Sequence, residues 1–194
     1  MLNADPVLLK KLQPHIERVL VLDPVQASGK LMVDVVRQFG ARNVYMVQKT
    51  TMGLDAVMNY QPQLILTELR GPDFDGLAFI KALRHSRLAE RAVPVILYTA
   101  ETTVESIRGA QNAGAHEFLR KPYTIKDLFR RVENVILKPR DWIEAKMYVG
   151  PDRRRFNSEA YKGTRKRKAE VVATPAAGAA TGTASGAASG GASA

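Results

Sequence analysis

No cysteine occurs in the 194 residues, so disulfides, thiolate zinc sites and cysteine nucleophiles are all excluded. That absence fits a reducing compartment. Histidine is scarce too: His15, His85 and His116 are scattered without ligand spacing and offer no metal site or proton relay. No apolar run approaches the roughly 20 residues a bilayer needs. The segment 1–11 is too short and polar-flanked for a secretory leader. A cytoplasmic protein without membrane attachment is expected.

What is present is an ample apolar fraction, 45%, and a formal net charge of +10 with a pI near 10.0. Such a balance points to an anionic partner or a basic tail and says little about fold. Length leaves room for one domain of about 100–150 residues plus appendages. The charge is unevenly placed. Residues 138–170 hold eleven basic and five acidic side chains, so 11 − 5 = 6 of the ten net positive charges lie there.

Up to residue 137 the chain alternates strand-like and helix-like patterns. Asp5 before Pro6 starts a short helix over 6–12. Apolar runs of strand length occupy 18–23, 43–48, 64–67, 94–98 and 117–120, the fourth with Pro94 at its permitted first position. Between and after them, helical spacing predicts helices over 25–39, 51–60, 76–84, 103–112 and 124–137. Gly40 is placed as a stop for the first of these. Five strands, each followed by a helix, require right-handed crossovers and a parallel sheet covered on both faces. The fold class is α/β.

In such a sheet, Asp23, Glu68, Thr99 and Lys121 come to the ends of four strands, at the edge where open α/β sheets hold their sites. Pro72 lies four residues after Glu68, Gly76 four after Pro72, and Lys121 precedes Pro122. Together these features resemble the receiver domain of two-component response regulators, the CheY-like family, over about 18–137. The resemblance implies a flavodoxin-like doubly wound sheet. It further implies an acid pair that helps bind a divalent metal, a phosphoacceptor at position 68, a hydroxyl and a lysine contacting phosphoryl oxygens (Thr99, Lys121), and an aromatic switch at Phe118.

Two positions depart from that pattern. The phosphoacceptor position holds Glu68 rather than Asp, and Pro24 replaces the second acid beside Asp23. Losing a carboxylate leaves Mg²⁺ binding weak or absent, and the extra methylene of Glu68 spoils the alignment on which in-line transfer depends. No cofactor is expected. Glu68 is instead expected to pair with Lys121 and hydrogen-bond to Thr99, holding a phosphorylation-independent, active-like state; the alternative is a tolerated acid in a decayed pocket. The implied role is a stand-alone signalling adaptor in a phosphorelay. Its protein partner would meet the helix over 103–112, the strand over 117–120 and the helix over 124–137, with Ile107, Arg108 and Phe118 on that face. An enzyme is the weakest reading, because no nucleophile, base and oxyanion donors assemble.

The expected organisation is an N-terminal extension over 1–16, a receiver over 17–138, a basic extension over 139–170 and a disordered Ala/Gly/Ser/Thr tail over 171–194. The extension carries Arg153, Arg154, Arg155, Arg165 and Arg167, whose guanidinium forks suit phosphate or carboxylate. Binding of nucleic acid or of cyclic di-GMP there is the alternative function. Against both stands a stretch that docks on its own domain or on an acidic protein.

Overall fold

The computed structural model describes residues 6–153 and 170–172. Helix α1 (Pro6–Leu12) leads through a short turn into strand β1 (Arg18–Leu22), followed by α2 (Gln26–Gln38), β2 (Asn43–Val47) and α3 (Gly53–Tyr60). Then come β3 (Leu64–Glu68), α4 (Gly76–His85), β4 (Val95–Thr99), α5 (Val104–Ala113), β5 (Glu117–Arg120) and α6 (Ile125–Leu137). The five strands form one parallel sheet in the order β2-β1-β3-β4-β5. Strand order reverses between β1 and β3, which opens a crevice at their C-terminal ends.

Strand alternation sorts the core into two layers. Val19 and Val21, Leu64 and Leu66, and Ile96 and Tyr98 face α1, α2 and α6, where they meet Met32, Val36, Leu128 and Val132. Leu20 and Leu22, Ile65, and Val95 and Leu97 face α3, α4 and α5, against Val57, Phe79, Ile80 and Ala110. The near-continuous apolar character of the strands thus follows from burial on both sides.

Local chemistry ends and starts the helices. Asp75 accepts from the Ala78 N–H at 2.9 Å to cap α4, Thr103 accepts from Ser106 at 3.1 Å to cap α5, and Thr124 with Asp127 forms a capping box on α6. Gly76 is required where it stands, because a Cβ there would come within 2.0 Å of the Glu68 carbonyl oxygen. The start of α4 is thereby pressed onto the end of β3.

Beyond Pro139 the sequence carries no periodicity, yet the chain forms a hairpin of β6 (Trp142–Ala145) and β7 (Tyr148–Pro151), turning at Lys146 and Met147. Strand β8 (Glu170–Val172) pairs antiparallel with the outer edge of β6. The basic extension is therefore in part a folded sheet. The expected disorder from Val171 onward does not hold for Val171 and Val172, which lie in β8; the remainder falls outside the described residues. Strands of three or four residues with interspersed charges are too short to register as a pattern.

The hairpin is seated on the receiver. Trp142 and Tyr148 are buried. Gly150 passes so close to Gly114, the left-handed cap of α5, that a Cβ would lie 2.9 Å from the Gly114 Cα. Under the Trp142 ring lies the Arg84 guanidinium, 5.4 Å from its centre. Arg84 is 0% exposed and donates to the carbonyls of Gly114 (3.0 Å), Arg91 (2.5 Å) and Val93 (3.0 Å). Glu117 is bracketed by Arg131 at 2.8 Å and Arg140 at 3.0 Å.

Candidate functional site

Strand register explains how the acids meet. Leu22 stands beside Thr67, and Glu68 beside Tyr98, so Asp23, Glu68 and Tyr98 are neighbours across three adjacent strand ends. All three continue the parity of Val21, Leu66 and Ile96, the residues that face α2 and α6. Thr99 continues the parity of Val95 and Leu97 instead, toward α3, α4 and α5, and Phe118 packs against that second layer.

Both acids are buried, and each of their four oxygens accepts a hydrogen bond from the protein. Asp23 Oδ1 accepts from the Val25 N–H at 2.8 Å and Oδ2 from the Tyr98 hydroxyl at 2.9 Å. Glu68 Oε1 accepts from the Leu69 N–H at 2.8 Å and Oε2 from the Lys121 ammonium at 2.5 Å. Lys121 also donates to Ser28 Oγ at 3.1 Å, lies 3.9 Å from Asp23 and sits over the Tyr98 ring at 4.7 Å. Its peptide bond to Pro122 is cis.

Burial, reinforced by the Asp23 carboxylate, pushes the Tyr98 hydroxyl far above the ordinary tyrosine range, so it stays a donor. Tyr123, edge-on to Tyr98 with ring centres 6.4 Å apart, is raised to about 12 by burial and then by Asp23 and Glu68. Among the described residues no three His, Asp or Glu side chains cluster in a way that could hold a metal ion.

The family described as the response regulator receiver domain matches residues 19–133. The chain belongs to the response regulator receiver family. Receivers are the signalling modules of two-component systems. The DNA-binding response regulator MtrA of Mycobacterium tuberculosis is 31% identical over 117 residues, covering 60% of this chain and 49% of that protein. The sensory/regulatory protein RpfC of Xanthomonas campestris is 27% identical over 138 residues, covering 71% of this chain and 19% of that protein. The receiver chain thus spans half or less of the length of these curated relatives. Among solved structures, a putative response regulator from Chloroflexus aurantiacus superposes with TM-score 0.58 at 22% identity, covering 63% of this chain and 98% of that one. Chemotaxis protein CheY4 of Vibrio cholerae gives TM-score 0.56 at 20% identity, covering 62% and 99%. These likenesses carry the fold.

Of the residues the sequence singles out, Asp23, Glu68 and Lys121 meet in this receiver's pocket. Thr99 does not make the expected bond to Glu68. Its Oγ1 accepts from the Glu101 N–H at 3.2 Å, because strand alternation gives it the opposite face. Its carbonyl accepts from the Lys121 N–H at 2.7 Å, so the two are joined through backbone. Arg153 lies 4.4 Å over the Tyr148 ring and donates to Asn112 Oδ1. Arg154, Arg155, Arg165 and Arg167 lie outside the described residues. Tyr98 and Ser28 are the contributors that sequence reasoning missed. The run from Val95 reads Tyr98 as core, although its parity with Ile96 and its register with Glu68 place it beside the acids.

Proposed function

We propose that this chain is a phosphorylation-independent receiver acting as a signalling adaptor in a two-component or phosphorelay pathway. The observation that carries the reading is the Lys121 ammonium 2.5 Å from Glu68 in a pocket whose four carboxylate oxygens already accept protein hydrogen bonds. A divalent cation does not fit this donor set. Mg²⁺ needs near-octahedral oxygen ligands, Pro24 supplies no carboxylate, and the oxygens of Asp23 and Glu68 each already serve a protein donor with which a cation would compete. Glu68 further displaces the carboxylate by one methylene from the position an aspartate would hold, and phosphoryl transfer depends on positioning. Lys121 is thus already engaged by a carboxylate without any phosphoryl group.

Output then runs through a surface that needs no phosphoryl signal. The face of α5, β5 and α6 offers the exposed Arg108, the half-buried Ile107 and Phe118, and a shallow groove lined by Arg120, Pro122, Tyr123 and Arg130. A protein partner is the occupant proposed for it. The engagement of Arg153 with Tyr148 and Asn112 favours this reading over an anion-binding tail.

Incubation of the full chain with acetyl phosphate and Mg²⁺, followed by intact mass spectrometry, tests the proposal. An unchanged mass is expected. Stoichiometric gain of one phosphoryl group overturns it.

A further inference from the structure

Pro24 alone does not account for the closure of the acid pocket, because Asp23 and Glu68 remain as two carboxylates at adjacent strand ends. Two carboxylates and one ammonium leave a formal charge of −1 in a buried place, a setting that attracts a cation unless other donors satisfy the oxygens. Tyr98 is such a donor. Its ring is fully buried between β4 and the α2–α6 layer, and its hydroxyl reaches Asp23 Oδ2 at 2.9 Å. The face of the same ring lies 4.7 Å from the Lys121 ammonium, which it helps to seat between Glu68 and Ser28. Pro24, next to Asp23, packs on the loop after β3. A Cβ on Gly71, in the loop after β3, would lie 2.4 Å from Pro24 Cγ, so loop and ring are in direct contact.

We propose that Tyr98 adds to Pro24 in excluding a metal from this pocket, its hydroxyl standing on Asp23 where a divalent ion would otherwise draw that carboxylate. The inference rests on the phosphorylation-independent reading and adds a cause to it. Restoring the lost acid alone restores the site only weakly, because Asp23 stays engaged by the phenol. Removing the phenol hydroxyl alone does not restore it either, since Pro24 brings no ligand.

Mn²⁺ binding to the full chain, followed by electron paramagnetic resonance of the free ion with Mg²⁺ as competitor, separates these contributions. Wild type and Y98F are expected to bind no Mn²⁺ at millimolar concentration. P24D should bind weakly, and P24D/Y98F about tenfold more tightly than P24D, the step expected when one competing hydrogen bond of about 1.4 kcal/mol is lost. Equal affinity of P24D and P24D/Y98F overturns the role of Tyr98 while leaving the reading of the wild-type pocket intact. Tight Mn²⁺ binding by wild type overturns both. Y98F retains the buried ring, so its fold is checked by its melting temperature, and P24D/E68D/Y98F provides a second background in which the same comparison is read.

Discussion

At the C-terminal edge of the sheet a lysine lies between two acids, with Glu68 at 2.5 Å and Asp23 at 3.9 Å. At the opposite edge Arg84 is wholly buried, and the acceptors of its hydrogen bonds are backbone carbonyls and His116. The first arrangement matches charge with charge in a crevice. The second spends its donors on the end of α5, the turn before β4 and the seat of Trp142, tying the hairpin to the receiver. Ion pairing is concentrated at one edge and backbone anchoring at the other, and the two cations should respond differently to removal.

The largest effect is expected at the back edge. R84M keeps much of the buried volume but leaves three carbonyls without their donor, and it should cost about 3–4 kcal/mol in urea unfolding, since hydrogen bonds to charged groups are among the strongest. K121M should cost less, about 2 kcal/mol, because part of the site is reached by water and the remaining donors still serve Asp23. Equal losses would break the contrast between the edges. W142A, which empties the hairpin's buried anchor (3% exposed), should cost about 3 kcal/mol and lower the melting temperature of the whole receiver in one transition. Separate melting of the hairpin would mean that it is an appendage.

A smaller effect belongs to His116. Its Nδ1 lies 3.2 Å from the Val95 N–H and from Arg84, both obligate donors, so that nitrogen is unprotonated. Burial, and then the charges of Arg84 and Arg140, hold its pKa well below the ordinary 6.5. Below pH 6.5 the unfolded chain takes up a proton that the folded chain refuses. Stability from this group is therefore complete above that pH and lost as pH falls, with a slope approaching about 1.4 kcal/mol per pH unit. H116Q should flatten the acid limb of the stability profile measured between pH 7 and 5.

Much of this was legible in sequence. Apolar runs and helical spacing located all five strands and their helices, and the intervals joining Glu68, Pro72, Gly76, Lys121 and Pro122 located the pocket. Two things were not. Thr99 was expected on Glu68, but strand parity turns Thr99 to the other layer and brings Tyr98 into register with the acid. The hairpin was invisible because its four-residue strands mix Trp142 and Ile143 with Glu144, and its stability comes from contacts with residues such as Gly114 and Arg84 that lie far away in sequence. Periodicity reports local pattern; it does not report a glycine that allows two backbones to meet.

On the proposed reading, Glu68 and Lys121 already complete the pocket. The decisive measurement follows the backbone amides of Leu69, Thr99 and Lys121 by NMR while Mg²⁺ and trifluoroberyllate, which mimics a phosphoryl group on a carboxylate, are added to the full chain. No change at these three amides is expected up to millimolar concentrations. Saturable shifts at all three would show that the pocket accepts a phosphoryl-like group and would contradict it.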